Sequence, residues 1–129
     1  MPYFEVEGDT DYKEVKLNGR FNLKVGRVNS SADGNTSVIG LEVYDGPNEG
    51  EEVVVFLPVK FKPGADPRWI KRGTAFRNKF FSILDIDLSG GGFDSNEVTG
   101  KLIAGMVNSK PDQNGVARNQ VQDWLPAEV

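Results

Sequence analysis

Residues Asp66–Gly92, DPRWIKRGTAFRNKFFSILDIDLSGGG, decide how the whole chain is read. Asp66-Pro67 has the form of a helix start. An Asp carboxylate accepts a hydrogen bond from a first-turn amide that lacks an intrahelical partner, and proline fits the first helical position. Beyond it Trp69, Gly73, Phe76, Phe80 and the pair Ile83/Leu84 recur every three or four residues, with Arg68, Lys71, Arg72, Arg77 and Lys79 mostly off that stripe. The spacing predicts one helix and places Trp69, Phe76 and Phe80 in the core. Ser89-Gly90-Gly91-Gly92 breaks it.

The segments on either side have a different period. Between Gly19 and Asn29, Phe21, Leu23 and Val25 alternate with Asn22 and Lys24, the pattern of a strand buried on one face. Ser30 to Asn35 is turn chemistry with Asp33-Gly34 at its tip. A second strand runs from Thr36 to Tyr44, with Ile39, Leu41 and Val43 on one face and Val38, Gly40, Glu42 and Tyr44 on the other. Glu51 to Phe61 reads as a third, whose run Val53-Val54-Val55-Phe56-Leu57 predicts partial cover on both faces and whose Pro58 marks an edge or a bulge. After the glycines, Thr99 to Asn108 and Ala117 to Leu125 read as the fourth and fifth strands, separated by a polar loop. Met1 to Asn18 is acidic with scattered aromatics and no single period, an extended arm. The domain is therefore expected over 19–126, with 127–129 as its end.

Strands and helix thus follow in the order β-β-β-α-β-β. This predicts a mostly β protein: a five-stranded OB-fold-like Greek-key barrel with one α-helix between strands 3 and 4. Other barrels and sandwiches with a single helix share the order. In an OB-fold the ligand lies across strands 2 and 3 and the loops joining strands 1 to 2 and 4 to 5, here Asn29–Asn35 and Ser109–Val116.

Composition narrows the chemistry. At 129 residues the chain fits one domain. It has no cysteine and no histidine, which removes disulfides, thiolate nucleophiles, imidazole bases and the usual zinc ligands. No apolar run approaches a membrane span and the start lacks the form of a signal peptide, so a cytoplasmic protein with no membrane partner and no cofactor is expected. The net charge is −4, but Lys60 to Lys79 holds seven basic residues against Asp66, a local +6 that leaves −10 on the other 109 residues. Charge segregated in this way can give a basic face on an acidic body, and local potential steers a polyanion more than net charge does.

Several short stretches together resemble small bacteriophage single-stranded DNA-binding proteins. They are Gly19-Arg20-Phe21-Asn22-Leu23-Lys24-Val25, Leu41-Glu42-Val43 to Gly46, Gly50 to Val53, the basic helix, Gly100-Lys101, and Asn119-x-Val121-x-Asp123-Trp124-Leu125-Pro126. The resemblance implies an OB-fold and sequence-tolerant binding of single-stranded DNA in phage DNA replication or recombination, without catalysis. It also implies the cytoplasm of an infected host cell, a monomer or homodimer, and phage replication or recombination proteins as partners. Many of these proteins end in a flexible acidic tail that recruits partners, whereas this sequence runs to Ala127-Glu128-Val129, so that function is expected to be missing or to lie outside it.

Single-strand binding needs cations to follow phosphates and flat side chains on which bases stack. Tyr44 and Phe56 are the candidate platforms, with Phe61 as a further one, and Lys24, Arg27, Lys60, Lys62 and Arg72 the candidate phosphate contacts. Each has a plainer reading: Phe56 inside a valine run as core, the helix cations as a solvated face, Trp124 as a plug that closes the barrel. Asp85-Ile86-Asp87-Leu88-Ser89-Gly90 matches the first half of a calcium loop, but the second half lacks the expected aliphatic at Gly92 and has Asn96 at the final ligand position. Asp85, Asp87 and Asp94 as magnesium ligands for phosphoryl chemistry would lack both a phosphate loop and a partnered base. A non-catalytic protein-interaction or virion structural module of barrel or sandwich form is the alternative, and it gives the basic segment no role.

Overall fold

The computed structural model describes residues 16–111 and 114–128. Its elements are β1 (Gly19–Ser30), β2 (Thr36–Val43), β3 (Glu52–Pro58), α1 (Pro67–Ile83), α2 (Ser95–Val98), β4 (Leu102–Pro111) and β5 (Ala117–Leu125). The strands pair antiparallel in one sheet, in the order β3-β2-β1-β4-β5. The protein is thus mostly β, with an OB-fold-like strand order and α1 between strands 3 and 4.

The barrel is looser than the sequence predicts. No ladder joins β3 to β5, although the two edges lie against each other. Helix α1 seals the seam. On the β3 side, Gly73 meets the Pro58 ring and the Arg77 guanidinium donates to the Pro58 and Val59 carbonyls at 3.4 and 3.3 Å. On the β5 side, the Phe76 and Phe80 rings lie 5.2 and 4.8 Å from that of Trp124, and Lys79 Nζ donates to Asp123 at 2.6 Å. Trp124 is fully buried, as a plug should be, and its indole N–H has no hydrogen-bond partner among the described residues. An orphaned buried donor costs about 1–3 kcal/mol, which the packing of so large a ring must offset.

The alternation on each strand supplies the interior. Leu23 and Val25, Ile39, Leu41 and Val43, and Val53, Val55 and Leu57 turn inward from three adjacent strands to meet Phe80, Phe81 and Ile103. Leu17, assigned by sequence to the arm, is also buried, and its amide donates to Asn119 Oδ1 at 2.9 Å. Residues 1–15 of that arm lie outside the described residues.

Helix α1 begins as its sequence dictates, with Asp66 accepting from the Arg68 amide at 2.9 Å and Pro67 in first position. Its end is less obvious. Asp85 takes φ = 59°, the Ile86 amide returns to the Phe81 carbonyl and the Asp85 amide to Ser82, which together make a Schellman cap with Ile86 and Phe81 both buried. Lys101 Nζ adds a hydrogen bond to the Leu84 carbonyl at 3.0 Å.

Three boundaries shift by three residues, β4 running on to Pro111 rather than stopping at Asn108. β3 stops at Pro58 rather than reaching Phe61, because residues 59 and 60 turn away and both donate their amides to the Asn35 carbonyl. β4 starts at Leu102 rather than Thr99, because a one-turn helix, α2, intervenes and Thr99 caps it. Four residues are too few to show a helical period. The usable signal is Asp94 followed three residues later by Glu97, the spacing of a capping box.

Candidate nucleic-acid interface

The outer face of β1, β2 and β3 is laid out in rows by strand register. Lys24, Glu42 and Glu52 form one row, Arg27, Gly40 and Val54 the next, and Asn29, Val38 and Phe56 the third. Tyr44 extends the first end, where its amide donates to the Asn22 carbonyl, and Thr36 and Pro58 extend the other. Strict alternation from Val25 would turn Arg27 inward. A bulge between Val25 and Arg27, at Gly26, resets the phase and sends Arg27 outward beside Lys24.

The sequence-predicted residues fall into two groups on this face. Tyr44, 41% exposed, stands at an acidic end with Glu42, Asp45 and Glu52. There Asn22 clamps Glu128 through two hydrogen bonds of 2.9 and 3.1 Å and also donates to Asp45. Arg27 is already engaged, its guanidinium 2.6 Å from Glu52. At this end Arg27 is held by a carboxylate and Lys24 stands in register with Glu42.

The other end has a different character. Phe56, a candidate platform, is 65% exposed, which sets aside the plainer reading of it as core: it follows the parity of Val54 outward, while Val55 and Leu57 turn in. Two residues further along β3, Pro58 lines an open depression of about 420 Å³ together with Lys60, Phe61, Lys62 and Trp69. Trp69, predicted to be core, is 54% exposed. It sits in the first turn of α1, before the helix reaches the sheet, and the next position on its stripe is Gly73, which alone is small enough to meet Pro58. Phe61 stands edge-on to Trp69 with ring centroids 6.0 Å apart. Arg72, three residues on from Trp69 along the helix, is exposed beside it.

Trp69 is therefore the residue that helical spacing hides. Two signals could have found it: cations on both sides at Arg68, Lys71 and Arg72, and a glycine rather than a large apolar residue one turn later.

The turn between β1 and β2 completes the depression. Asp33 accepts from the Asn35 amide and the Ser31 hydroxyl, and these bonds, with Lys62 nearby, hold its carboxyl below the ordinary 3.8. Thr36 also borders a second, smaller depression of about 290 Å³, lined by Asn29, Ser37 and Phe93 among others. The loop between β4 and β5 is described only in part, residues 112 and 113 lying outside the described set.

The calcium-like stretch is accounted for differently. Asp85 is the left-handed residue of the helix cap and Asp87 accepts from the Ser89 amide at 2.9 Å, which lowers its pKa. Among the described residues no three carboxylates converge as a metal site requires. Nor, among them, is any helix long and apolar enough to cross a membrane.

Fold and face together define a small antiparallel β domain with an aromatic and cationic patch at one end of its outer face. Compared with models of known protein families and with curated protein sequences, the chain matches none.

Proposed function

We propose that this domain binds single-stranded DNA without reading its sequence, as the resemblance to phage single-strand binders implies, in phage DNA replication or recombination and without a catalytic step. One observation carries the reading. Of Phe56 and Trp69, the most exposed large apolar side chains among the described residues, Trp69 lines the depression that holds Lys60 and Lys62, and Phe56 stands on the same strand two residues before Pro58, which also lines it. Flat rings beside mobile cations are what an unstacked strand needs: each base has a face to stack on, and each stacked base contributes about 1–3 kcal/mol whatever its identity. From Thr36 to Tyr44 the face runs about 26 Å at roughly 3.3 Å per residue. That length suits a site of a few nucleotides, at the short end of what one such domain covers.

The test is fluorescence anisotropy of a labelled poly-dT strand of about 30 nucleotides, at low and then moderate salt, with duplex DNA and RNA as competitors. Saturable binding that prefers the single strand and weakens with salt is the expected result. No binding at low salt overturns the reading and leaves a protein-interaction or virion structural module in its place.

A further inference from the structure

We propose that Glu52 and Gly40 act as a brake on strand binding by holding Arg27 away from the phosphates. This rests on the single-strand reading above and names a regulator of the same face. Three features build the device. The β1 bulge turns Arg27 outward. Gly40, directly opposite on β2, lets the arginine stem lie flat on the backbone, since a Cβ there would stand 2.7 Å from both Cγ and Nε of Arg27. The guanidinium thereby crosses the whole of β2 and reaches Glu52 on β3 at 2.6 Å.

The acceptor is well chosen for holding and releasing. Glu52 is in register with Glu42, so a like charge faces it across the strands and Arg27 relieves that repulsion. Both partners are about half exposed, which makes the pair nearly worthless for stability and easily exchanged in water. A phosphate arriving on this face competes directly with the Glu52 carboxylate for Arg27.

Two substitutions release Arg27 by different routes. Glu52→Gln removes the acceptor. Gly40→Ala blocks the path across β2 and changes no charge, so any gain it gives cannot come from net charge.

The experiment is the salt dependence of binding to the labelled poly-dT strand by the wild type, Gly40→Ala, Glu52→Gln, Arg27→Gln and the double variant Gly40→Ala/Arg27→Gln. One added phosphate contact steepens the log–log salt slope by about 0.7 and tightens binding about fivefold at 0.1 M salt. Gly40→Ala and Glu52→Gln are both expected to show that steepening, Arg27→Gln alone to keep the wild-type slope, and the double variant to lose the gain. Wild-type slopes in both releasing variants overturn the brake. So does a slope made shallower by about 0.7 in Arg27→Gln alone, since Arg27 would then already contact a phosphate. Failure of the wild type and both releasing variants to bind at all sinks the single-strand reading and the brake with it, whereas tight wild-type binding with unchanged variants sinks the brake alone.

Discussion

Gly73→Ala is expected to destabilise the protein, against the usual direction for a glycine inside a helix. Such a change normally gains about 1 kcal/mol from helix propensity. Here the added Cβ would stand 2.8 Å from Pro58 Cγ and 3.2 Å from Phe61 Cζ, the first nearly an ångström inside ordinary contact. Little can give way. The Pro58 ring is rigid, its strand is paired to β2 through Thr36, and its carbonyl is tied back to the same helix by Arg77. Overpacking of this kind costs about 1–3 kcal/mol. Setting the middle of that range against the propensity gain leaves a net loss of about 1 kcal/mol, or about 4 °C in Tm for a domain of this size. Urea unfolding at pH 7 measures it directly. A Gly73→Ala protein more stable than the wild type would show that α1 does not seal the seam on Pro58 as described. A second consequence follows from the geometry: the displaced Phe61 is the edge partner of Trp69, so strand binding should weaken along with stability.

The other predictions are separable from this one. Asp85→Gly should raise stability by about 1 kcal/mol, because a non-glycine residue at φ = 59° is strained and a carboxylate opposes the helix dipole at a C-terminus; a lower Tm in the variant would refute it. Trp69→Ala and Phe56→Ala should each weaken poly-dT binding by about 1–3 kcal/mol with little change in the melt, and Tyr44→Ala should do less, since its end of the face is acidic; a ranking with Tyr44 first would move the site to the other end. The carboxyls of Asp33, Asp87 and Asp123 are held below their ordinary 3.8 by hydrogen bonds from Asn35 and Ser31, from Ser89, and from Lys79 and Trp124. Their contribution is therefore fully present above about pH 5 and is lost as pH falls through the folded values, so urea midpoints should decline below about pH 4; a midpoint flat from pH 4 to pH 2 would contradict this.

Much of the fold is legible in the sequence because period and punctuation agree. The alternation from Phe21 to Val25 and from Ile39 to Val43, the Asp66-Pro67 start and the closing Pro126 each fix an element by local chemistry alone. What escapes are features set by distant partners. Around Trp69 only the flanking cations and Gly73 signal its exposure; that α1 overhangs the sheet for its first turn depends on where β3 ends. For Phe56 the sequence leaves platform and core both open, because its valine run does not reveal parity, whereas Val53, Val55 and Leu57 take the inside together once β2 fixes the register. Arg27 was legible as a candidate cation, but its bond to Glu52 spans three strands and depends on the absence of a side chain at Gly40.

The two ends of the outer face also bear on how a chain of net charge −4 would handle a polyanion. Overall charge opposes the encounter only weakly, since fields beyond roughly 8–10 Å are screened at physiological salt and the local +6 segment dominates within that range. A strand would therefore engage first at Lys60, Lys62 and Trp69 and extend along β3 over Phe56. Past Val54 it meets Glu52 and Glu42, where each further nucleotide must displace or pay against a carboxylate. On the proposed reading the acidic end would thus limit the footprint to the basic half, and the length of strand bound would be governed as much by Glu52 as by the aromatic platforms.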